Sequence, residues 1–332
     1  MASPCRASVP APRSGRRANV EQRASRVQRA ALIYSATVPW TPGPDLDLRV
    51  DHSDVLTRGP QSDVDAHFDS TARWWRDVYD APTTEGAIYR RRSDRVLAWV
   101  DELALPAGSA VLEVGAGAGV VAVELARRGH QVKAVESSEA MLAVLRERAA
   151  ASGVADRLTA ATADVHALDE PADAFDLVVA IGVLPWLHAP QVALREMARV
   201  ARPGAAVILT SDNRARLSSR IDPRRRAPLR PILRALRREL RRRGTLPTPA
   251  PSDFLMHLYD RDELLAMLSA AGLEAERVEP VGFGPFAPAG QPLLPERAMI
   301  RLEAALQHRA DRGAPLLRSA SFQHVVLARV RG

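Results

Sequence analysis

The chain has little of several residue types that would point to particular classes of protein. Cysteine occurs once in 332 residues, at Cys5, which excludes a disulfide framework and a cysteine-rich metal site. Lysine also occurs once, at Lys133, so that nearly all the positive charge is arginine. No apolar run approaches the length of a membrane span, and we therefore expect a soluble protein.

The excess of positive charge has more than one explanation. The formal net charge is +7, which would suit a nucleic-acid or an anionic-membrane partner. An arginine-rich composition is equally expected from a GC-rich genome. The length and a hydrophobic content of 46% suit one elaborated α/β domain with a tail.

The first 60 residues differ in composition from the rest of the chain. They are rich in proline, arginine and alanine, and Glu21 is their single acid before Asp45. This composition predicts a disordered N-terminal extension over residues 1–60. An organelle transit peptide, which is also poor in acids and rich in arginine, is an alternative.

A glycine-rich turn carries the strongest functional signal. Val111–Val114 is a short apolar run typical of a buried strand, and Gly115, Gly117 and Gly119 follow it. Such a turn lets backbone N–H groups and a helix N-terminus approach a ligand. The spacing is GxGxG, however, and Val120 stands where the GxGxxG dinucleotide fingerprint has its third glycine, which weakens a nicotinamide interpretation.

An acidic residue follows the glycine-rich turn at a sequence spacing that suits ligand binding. Gln131–Glu136 alternates as a strand does, and Glu136 lies 21 residues after Gly115. A carboxylate at this place accepts hydrogen bonds from the ribose hydroxyls of an adenosine ligand. Dinucleotide-binding and other adenosine-binding proteins share this device, so Glu136 alone does not separate them.

The order of the later segments separates the two classes. Glu113 lies inside the first strand, a third apolar run ends at 162–165, Phe175–Ala180 predicts a fourth strand, and Ala205–Thr210 predicts a fifth after an Arg-Pro-Gly turn. Together these motifs resemble the class I S-adenosylmethionine-dependent methyltransferases, especially the small-molecule group that includes the ubiquinone-biosynthesis type. The resemblance covers roughly residues 65–330. Dehydrogenases and inactive relatives of the methyltransferases remain as alternatives.

The resemblance implies an α/β fold with a Rossmann-like, doubly wound, seven-stranded mixed sheet whose last strand is antiparallel. The domain would span 61–330. The sixth and seventh strands are expected at Leu273–Gly282 and Gln323–Val330, with a helix at Asp260–Ala271 that begins with a capping box formed by Asp260 and Glu263. The resemblance also implies an N-terminal helical cover over Val64–Leu103. Its tryptophans would pack on the sheet, whereas Tyr79 and Tyr89 could serve the acceptor pocket.

The resemblance assigns the cofactor contacts residue by residue. The glycines would pass beneath the methionine and ribose parts of S-adenosylmethionine, Glu113 would hold the ammonium group, and Glu136 would bind the ribose hydroxyls. Asp164 and the Val165 backbone would meet the adenine edge, and Met141 the adenine face. The full predicted set is Glu113, Gly115, Gly117, Gly119, Glu136, Ser137, Met141, Asp164, Val165 and Ile181. Three alternatives stay open: Glu113 as a structural acid, Asp164 as a helix cap and Met141 as a core residue.

The acceptor side departs from the family pattern. Trp186 stands where many relatives have a histidine, and His188 is the nearest replacement for a general base. A surface histidine at a helix start is the alternative for His188. His257 and Tyr259 are further candidates if the insertion after the fifth strand folds back as a lid. Asp212 and Asn213 resemble part of a magnesium site, but the fourth strand offers no acid partner, and no metal site is predicted.

The insertion at 213–257 is rich in arginine. Between 214 and 243 it has thirteen arginines, against Asp222 and Glu239 as acids, with leucines at helical spacing. Such a basic amphipathic helix would lie on an anionic membrane, clamp an acidic substrate or pack on the domain. No nucleic-acid recognition module is legible, so nucleic acid is not the favoured partner.

These expectations define a methyltransferase that acts on a small molecule. O-methylation of a small, partly apolar phenol, quinol or natural product is favoured, and N- and C-methylation stay open. A cytoplasmic location is expected, with peripheral membrane contact through 214–243 as an extension. The alternatives are a membrane-associated lipid or quinone as acceptor, an RNA methyltransferase, and a non-catalytic adenosine-ligand-binding protein. The sequence does not predict an oligomeric state.

Overall fold

The computed structural model describes residues 61–221, 256–288 and 291–332. The predicted N-terminal extension at 1–60 lies outside the described residues. So does the part of the arginine-rich insertion from 222 to 255, with the amphipathic helix predicted there.

A seven-stranded mixed sheet forms the centre of the fold. Its spatial order is β3-β2-β1-β4-β5-β7-β6; β1 to β5 are parallel where they pair, and β7 is antiparallel to both β5 and β6. This order confirms the predicted fold class. The strands are β1 Ala110–Val114, β2 Gln131–Glu136, β3 Leu158–Thr162, β4 Phe175–Ala180, β5 Ala201–Asp212, β6 Leu273–Val281 and β7 Gln323–Val330.

Helices cover both faces of the sheet. In chain order they are α1 Gln61–Val78, α2 Thr84–Glu102, α3 Val120–Arg127, α4 Glu139–Ala151, α5 Pro190–Val200, α6 Leu217–Ile221, α7 Arg261–Ala270, α8 Glu296–Asp311 and α9 Pro315–Arg318. Apolar side chains of α2, α3 and α4 pack on one face, here called the α2 face, and those of α5 and α7 pack on the other. The central strands β1 and β4 are mostly apolar because both faces are covered. Among the described helices, none has the length and apolar character that crossing a membrane would require.

Local sequence signals explain where several elements begin. Asp260 and Glu263 form the predicted capping box at the start of α7. The N-terminal helical stretch consists of two helices, and Thr83 caps the second, α2, by accepting a hydrogen bond from the Gly86 amide at 3.1 Å. Strand β5 is longer than predicted, since Ala201 already pairs with Phe175 before a register shift.

The parallel strands bring the motif residues together at one edge of the sheet. We call the edge at which β1, β2, β3, β4 and β5 end the carboxyl edge. Ligands of open α/β sheets bind outside the carboxyl ends of their strands, where the strand order reverses. Here that reversal lies between β1 and β4.

Candidate active site

The glycine-rich turn between β1 and α3 uses backbone conformations that favour glycine. Gly115, Gly117 and Gly119 all have positive φ, of 60°, 52° and 72°. A Cβ atom on Gly115 or Gly119 would approach Val183 or Leu145 to within 2.5 or 2.6 Å, whereas one on Gly117 would meet nothing within 4 Å. The outer two glycines are therefore needed for packing, and the middle one borders open space that a ligand can use.

Glu136 is fixed at the turn between β2 and α4. Its Oε2 accepts a hydrogen bond from the Gly117 amide at 2.8 Å, and its Oε1 accepts from the Ser137 and Ser138 amides at 2.9 and 3.1 Å. Burial raises the pKa of Glu136, and these amide hydrogen bonds lower it. The structure thus joins the two strongest sequence signals, the glycine turn and the downstream acid, through one carboxylate.

Glu113 is a buried acid with an unused acceptor. The residue is 3% exposed, and its Oε2 has no hydrogen-bond partner within the described parts of the chain. Burial raises its pKa to about 8, against the smaller, opposing effect of a hydrogen bond with the Ala122 backbone. A buried carboxyl of this kind gains most from a cationic ligand, which would both pair its charge and satisfy the oxygen.

Arg92 on α2 is a functional candidate that the sequence analysis missed. It is 3% exposed, its Nη2 donates to the Tyr79 hydroxyl at 2.9 Å, and its guanidinium lies over the Tyr89 ring at 4.8 Å. The guanidinium fills the space that a side chain on Gly182 would need. No described carboxylate forms an ion pair with Arg92, and its positive charge lowers the pKa of Glu113.

The residues predicted to surround adenine lie at the ends of β2 and β3. Asp164 is exposed, and its Oδ1 accepts from the His166 amide at 2.9 Å and lies 2.6 Å from His166 Nδ1. Val165 and Met141 are buried, and Ile181 is partly buried after β4. Asp164 therefore forms a local turn with His166 rather than a helix cap, because no helix follows β3 before β4 in the described part of the chain.

Helix α1 lies across this part of the carboxyl edge. Asp65 Oδ1 accepts from the Ser137 hydroxyl at 2.7 Å, and Asp69 Oδ1 accepts from the Ser138 hydroxyl at 2.5 Å and the Ala140 amide at 3.2 Å. These contacts fix α1 to the start of α4, directly beside Glu136. The ribose side of the site is thereby covered, and Ser137 is engaged by α1.

His188, a predicted general base for the acceptor, lies close to the residues that are predicted to bind adenine. Its ring centroid is 3.9 Å from that of His166, the partner of Asp164, and its Nδ1 is 3.3 Å from Gln61 Oε1. The side chain is exposed at the start of α5. Neither Trp186 nor the helical spacing of α5 indicated in the sequence that His188 would contact His166.

The described part of the insertion returns to the same edge. The His257 amide donates to Pro185 O at 2.7 Å, the Tyr259 amide donates to Asp212 O at 2.9 Å, and the two rings are stacked at 6.1 Å. The structure thus brings both predicted residues to the ends of β4 and β5. Their catalytic role stays a prediction.

A continuous group of aromatic rings borders the end of β4. We call it the aromatic wall, and it consists of Phe68, Trp75, Tyr79, Tyr89 and Trp186. Ring centroids are separated by 5.2 Å between Trp186 and Phe68, 6.0 Å between Phe68 and Trp75, 5.4 Å between Trp75 and Tyr89, and 6.0 Å between Tyr89 and Tyr79. Phe68, Trp75 and Trp186 are half-buried, so this wall ends in accessible ring surface on one side and at Arg92 on the other.

Asp212 and Asn213 have protein partners rather than a metal arrangement. Asp212 Oδ1 accepts from Gln323 Nε2 at 2.6 Å, and Asn213 Nδ2 donates to the Ser319 and Ser321 carbonyls at 3.0 and 2.9 Å. Among the described residues, no group of three or more histidine, cysteine, aspartate and glutamate side chains could hold a metal ion.

Comparisons with known proteins agree with this geometry. Residues 112–209 match the methyltransferase domain family. The chain is 33% identical over 166 residues to the ubiquinone biosynthesis O-methyltransferase of Pseudomonas paraeruginosa and 30% identical over 158 residues to that of Azoarcus sp., which covers 50% and 48% of this chain. It spans 65% of the length of each of these relatives, slightly less than two thirds.

Solved structures share the fold at lower identity. Magnesium protoporphyrin IX methyltransferase from Synechocystis PCC 6803 with bound SAH has a TM-score of 0.54 and 17% identity, over 82% of this chain and 100% of its own. The cyclase SpnF has a TM-score of 0.51 and 21% identity, over 82% and 97%. At these identities the likeness concerns the fold alone.

Proposed function

We propose that this chain, which carries a class I S-adenosylmethionine-dependent methyltransferase domain, transfers a methyl group to a hydroxyl of a small aromatic molecule. The methyl donor is S-adenosylmethionine. The acceptor is a phenol or quinol with a partly apolar body. The protein acts by aligning the acceptor oxygen behind the methyl carbon and by excluding water, because the donor itself is already an activated electrophile.

The pairing of Glu113 with Arg92 carries the donor assignment. Glu113, at the end of β1 before the glycine turn, is a buried carboxyl with an oxygen unused by the described residues, and Arg92, beside Gly182 after β4, is a buried guanidinium with no ion pair among the described carboxylates. The ammonium and carboxylate of a methionine group would neutralise both charges at once. A nicotinamide dinucleotide offers no such pair of charges, since its central group is a pyrophosphate. Glu136 would then hold the ribose hydroxyls, and Asp164 with the Val165 backbone the adenine edge.

The aromatic wall supports the choice of acceptor. Half-buried rings of Phe68, Trp75 and Trp186 offer stacking surface to a flat, apolar molecule. The polar end of such a molecule would point towards Tyr89 and Arg92. The relatives named for ubiquinone biosynthesis are O-methyltransferases, which agrees with a hydroxyl as the methylated group.

The fold by itself does not decide the reaction, since the cyclase SpnF shares it. A lipid-like quinone as acceptor, reached by peripheral membrane contact through 214–243, stays a prediction because 222–255 lie outside the described residues. His188, His257 and Tyr259 stay candidates for the acceptor side. A cytoplasmic location is part of the same proposal.

A turnover screen tests the proposal. The full chain is incubated with S-adenosylmethionine and matched sets of phenols, quinols and amines, and products are detected by mass spectrometry. We expect methylated phenols or quinols together with S-adenosylhomocysteine. Methylation of amines alone would contradict the hydroxyl acceptor. Retention of S-adenosylmethionine without turnover of any acceptor would favour the non-catalytic alternative, and strong salt-dependent RNA binding with RNA methylation the nucleic-acid alternative.

A further inference from the structure

We infer that Asp212 is the catalytic base that takes the proton from the acceptor hydroxyl. The inference rests on the proposed function, because it needs a hydroxyl acceptor and a sulfonium donor at the carboxyl edge. It assigns a role to a residue that the sequence analysis considered only as part of a metal site.

The sheet register places Asp212 beyond the donor site on the correct face. Glu113 on β1 is level with Val179 on β4, which is level with Ile208 on β5. Asp212 therefore lies two strands away from Glu113 and four residues nearer the carboxyl edge, or about 10 Å across the sheet and about 13 Å along it. Because Ile208 packs on the α2 face and side chains alternate along a strand, Asp212 shares that face with Glu113.

The residues that lie between and around these two acids are consistent with an acceptor site. The Gly182 amide donates to Thr210 Oγ1 at 2.7 Å, which fixes the loop after β4 against β5. The Arg92 guanidinium lies against the same loop at Gly182, and it lowers the pKa of Asp212. The aromatic wall reaches this point through Tyr89. An aromatic hydroxyl stacked on the wall would thus present its oxygen towards Asp212.

Side chains from several described elements around Asp212 affect the pKa of its carboxyl group. Gln323 on β7 donates to Oδ1 at 2.6 Å, and Arg216 Nη1, from the loop after β5, is 3.7 Å from Oδ2. Arg92 on α2 lowers the pKa of Asp212, and Asp212 in turn raises the pKa of Tyr89 on the same helix. Asp212 is 4% exposed; burial raises its pKa, whereas Arg216, Gln323 and Arg92 lower it. Gln323 and Arg216 hold the carboxyl in one orientation, as a catalytic base requires.

The proton transfer balances with methyl transfer. An oxygen lone pair of the acceptor forms the new bond to the methyl carbon, while the carbon–sulfur bond breaks and its electron pair stays on sulfur. The hydroxyl proton passes to the Asp212 carboxylate. The products are a methyl ether, a neutral thioether and a protonated Asp212, which releases its proton to solvent after the site opens.

An optical titration tests the inference without turnover. The protein is saturated with S-adenosylhomocysteine, and 4-nitrophenol, whose absorption changes when it ionises, is the acceptor probe. In the wild type, the Asp212 carboxylate disfavours a phenolate beside it, so Asp212→Asn is expected to move the titration of the bound probe to lower pH by about one unit. Asp156→Asn removes an exposed carboxylate that lies before β3, at the opposite edge of the sheet, and is expected to leave the titration unchanged.

Turnover of an acceptor found in the screen gives the second readout. Asp212→Asn keeps an oxygen that can accept from Gln323, and we expect kcat to fall by about 10² to 10⁴ with unchanged affinity for S-adenosylmethionine. Asp212→Glu, which restores a carboxylate, is expected to recover part of kcat, and circular dichroism checks that both variants fold. A full rate and an unmoved titration in Asp212→Asn, with donor binding intact, would overturn the inference alone. A wild type that fails to bind the donor would instead contradict the proposed function.

Discussion

The donor and acceptor halves of the carboxyl edge differ in how their residues are distributed along the chain. On the donor side, Glu113, the glycine turn and Glu136 belong to one strand-helix-strand unit, and Glu136 accepts directly from the turn. On the acceptor side, the aromatic wall, Asp212 and Gln323 come from both ends of the domain. Apart from Arg92, the donor half is therefore a local structure, whereas the acceptor half exists only after the whole sheet has formed.

This difference explains what the relatives can teach. The matched methyltransferase domain covers residues 112–209, which contain Glu113, Glu136 and Asp164. Arg92, Asp212 and Gln323 lie outside it. The match to this domain therefore supports the part of the donor site that lies within 112–209, whereas Arg92 and the acceptor side have to be argued from the contacts of this chain.

The largest expected effect concerns Glu136. Replacing it with alanine would remove the two proposed charge-assisted hydrogen bonds to the ribose hydroxyls, and we expect affinity for S-adenosylmethionine to fall at least about 100-fold. Calorimetric titration measures the change. Glu147→Ala, which removes an exposed acid from the same helix α4, is the control and should bind normally. Full affinity in Glu136→Ala would show that the donor half has been assigned wrongly.

The next effect concerns the pH dependence of stability at Glu113. Its pKa is raised from an ordinary value of 4.5 to about 8 in the native state. Between these two pH values the native protein keeps a proton that the unfolded chain has lost, so this group makes the free energy of unfolding fall as pH rises, and the loss levels off above pH 8. Glu113→Gln removes the effect and is expected to stabilise the ligand-free protein by on the order of a few kcal/mol at pH 8.

Thermal unfolding of Glu113→Gln and wild type across this range measures that difference. The two melting temperatures should converge towards pH 4 and separate towards pH 8. The same variant should bind S-adenosylmethionine more weakly, because it has lost the charge that pairs with the ammonium. A constant difference at every pH would contradict an ionisable, buried Glu113.

Alanine substitutions at Gly119 and Gly117, in the same turn, are expected to have opposite relative effects on stability and on donor affinity. A methyl group at Gly119 would lie 2.6 Å from Leu145 Cγ, so Gly119→Ala is expected to cost about 1–3 kcal/mol of stability. Gly117→Ala meets open space and should cost about 1 kcal/mol through its positive φ alone. Denaturant unfolding and calorimetry together should show larger loss of stability at Gly119 and larger loss of donor affinity at Gly117. Equal losses of affinity would mean that the open space at Gly117 does not receive the ligand.

The smallest effect concerns the acceptor half. Trp186→Ala removes one ring of the aromatic wall, and loss of a single stacking contact is expected to raise KM for a phenol about five- to tenfold. Affinity for the donor should stay unchanged. If Trp186→Ala lost donor affinity and kept its KM for the phenol, this ring would belong to the donor half rather than to the acceptor half.

The contrast between local contacts in the donor half and distant contacts in the acceptor half also explains how much of the structure the sequence could predict. The order of segments expected from the resemblance predicted β7 at Gln323–Val330, and the Asp260–Glu263 pair predicted the capping box of α7. The pairing of Glu136 with the glycine turn followed from spacing within one structural unit. Such signals depend on residues that are near one another in the chain.

Arg92 and His166 illustrate what the sequence could not show. Arg92 is one of three consecutive arginines on α2, and only the packing of that helix on the sheet buries it beside Tyr79 and Gly182. His166 was not considered, yet its contacts with Asp164 and His188 decide where the predicted base lies. Spacing along the chain carries no information about contacts of this kind.

Calorimetric titration of the full chain with S-adenosylmethionine, S-adenosylhomocysteine and NAD tests the central claim most directly. The zwitterion site that we propose at Glu113 and Arg92, together with Glu136, predicts one-to-one binding of both sulfur ligands and no measurable binding of NAD. Tight binding of NAD with no binding of either sulfur ligand would contradict the account.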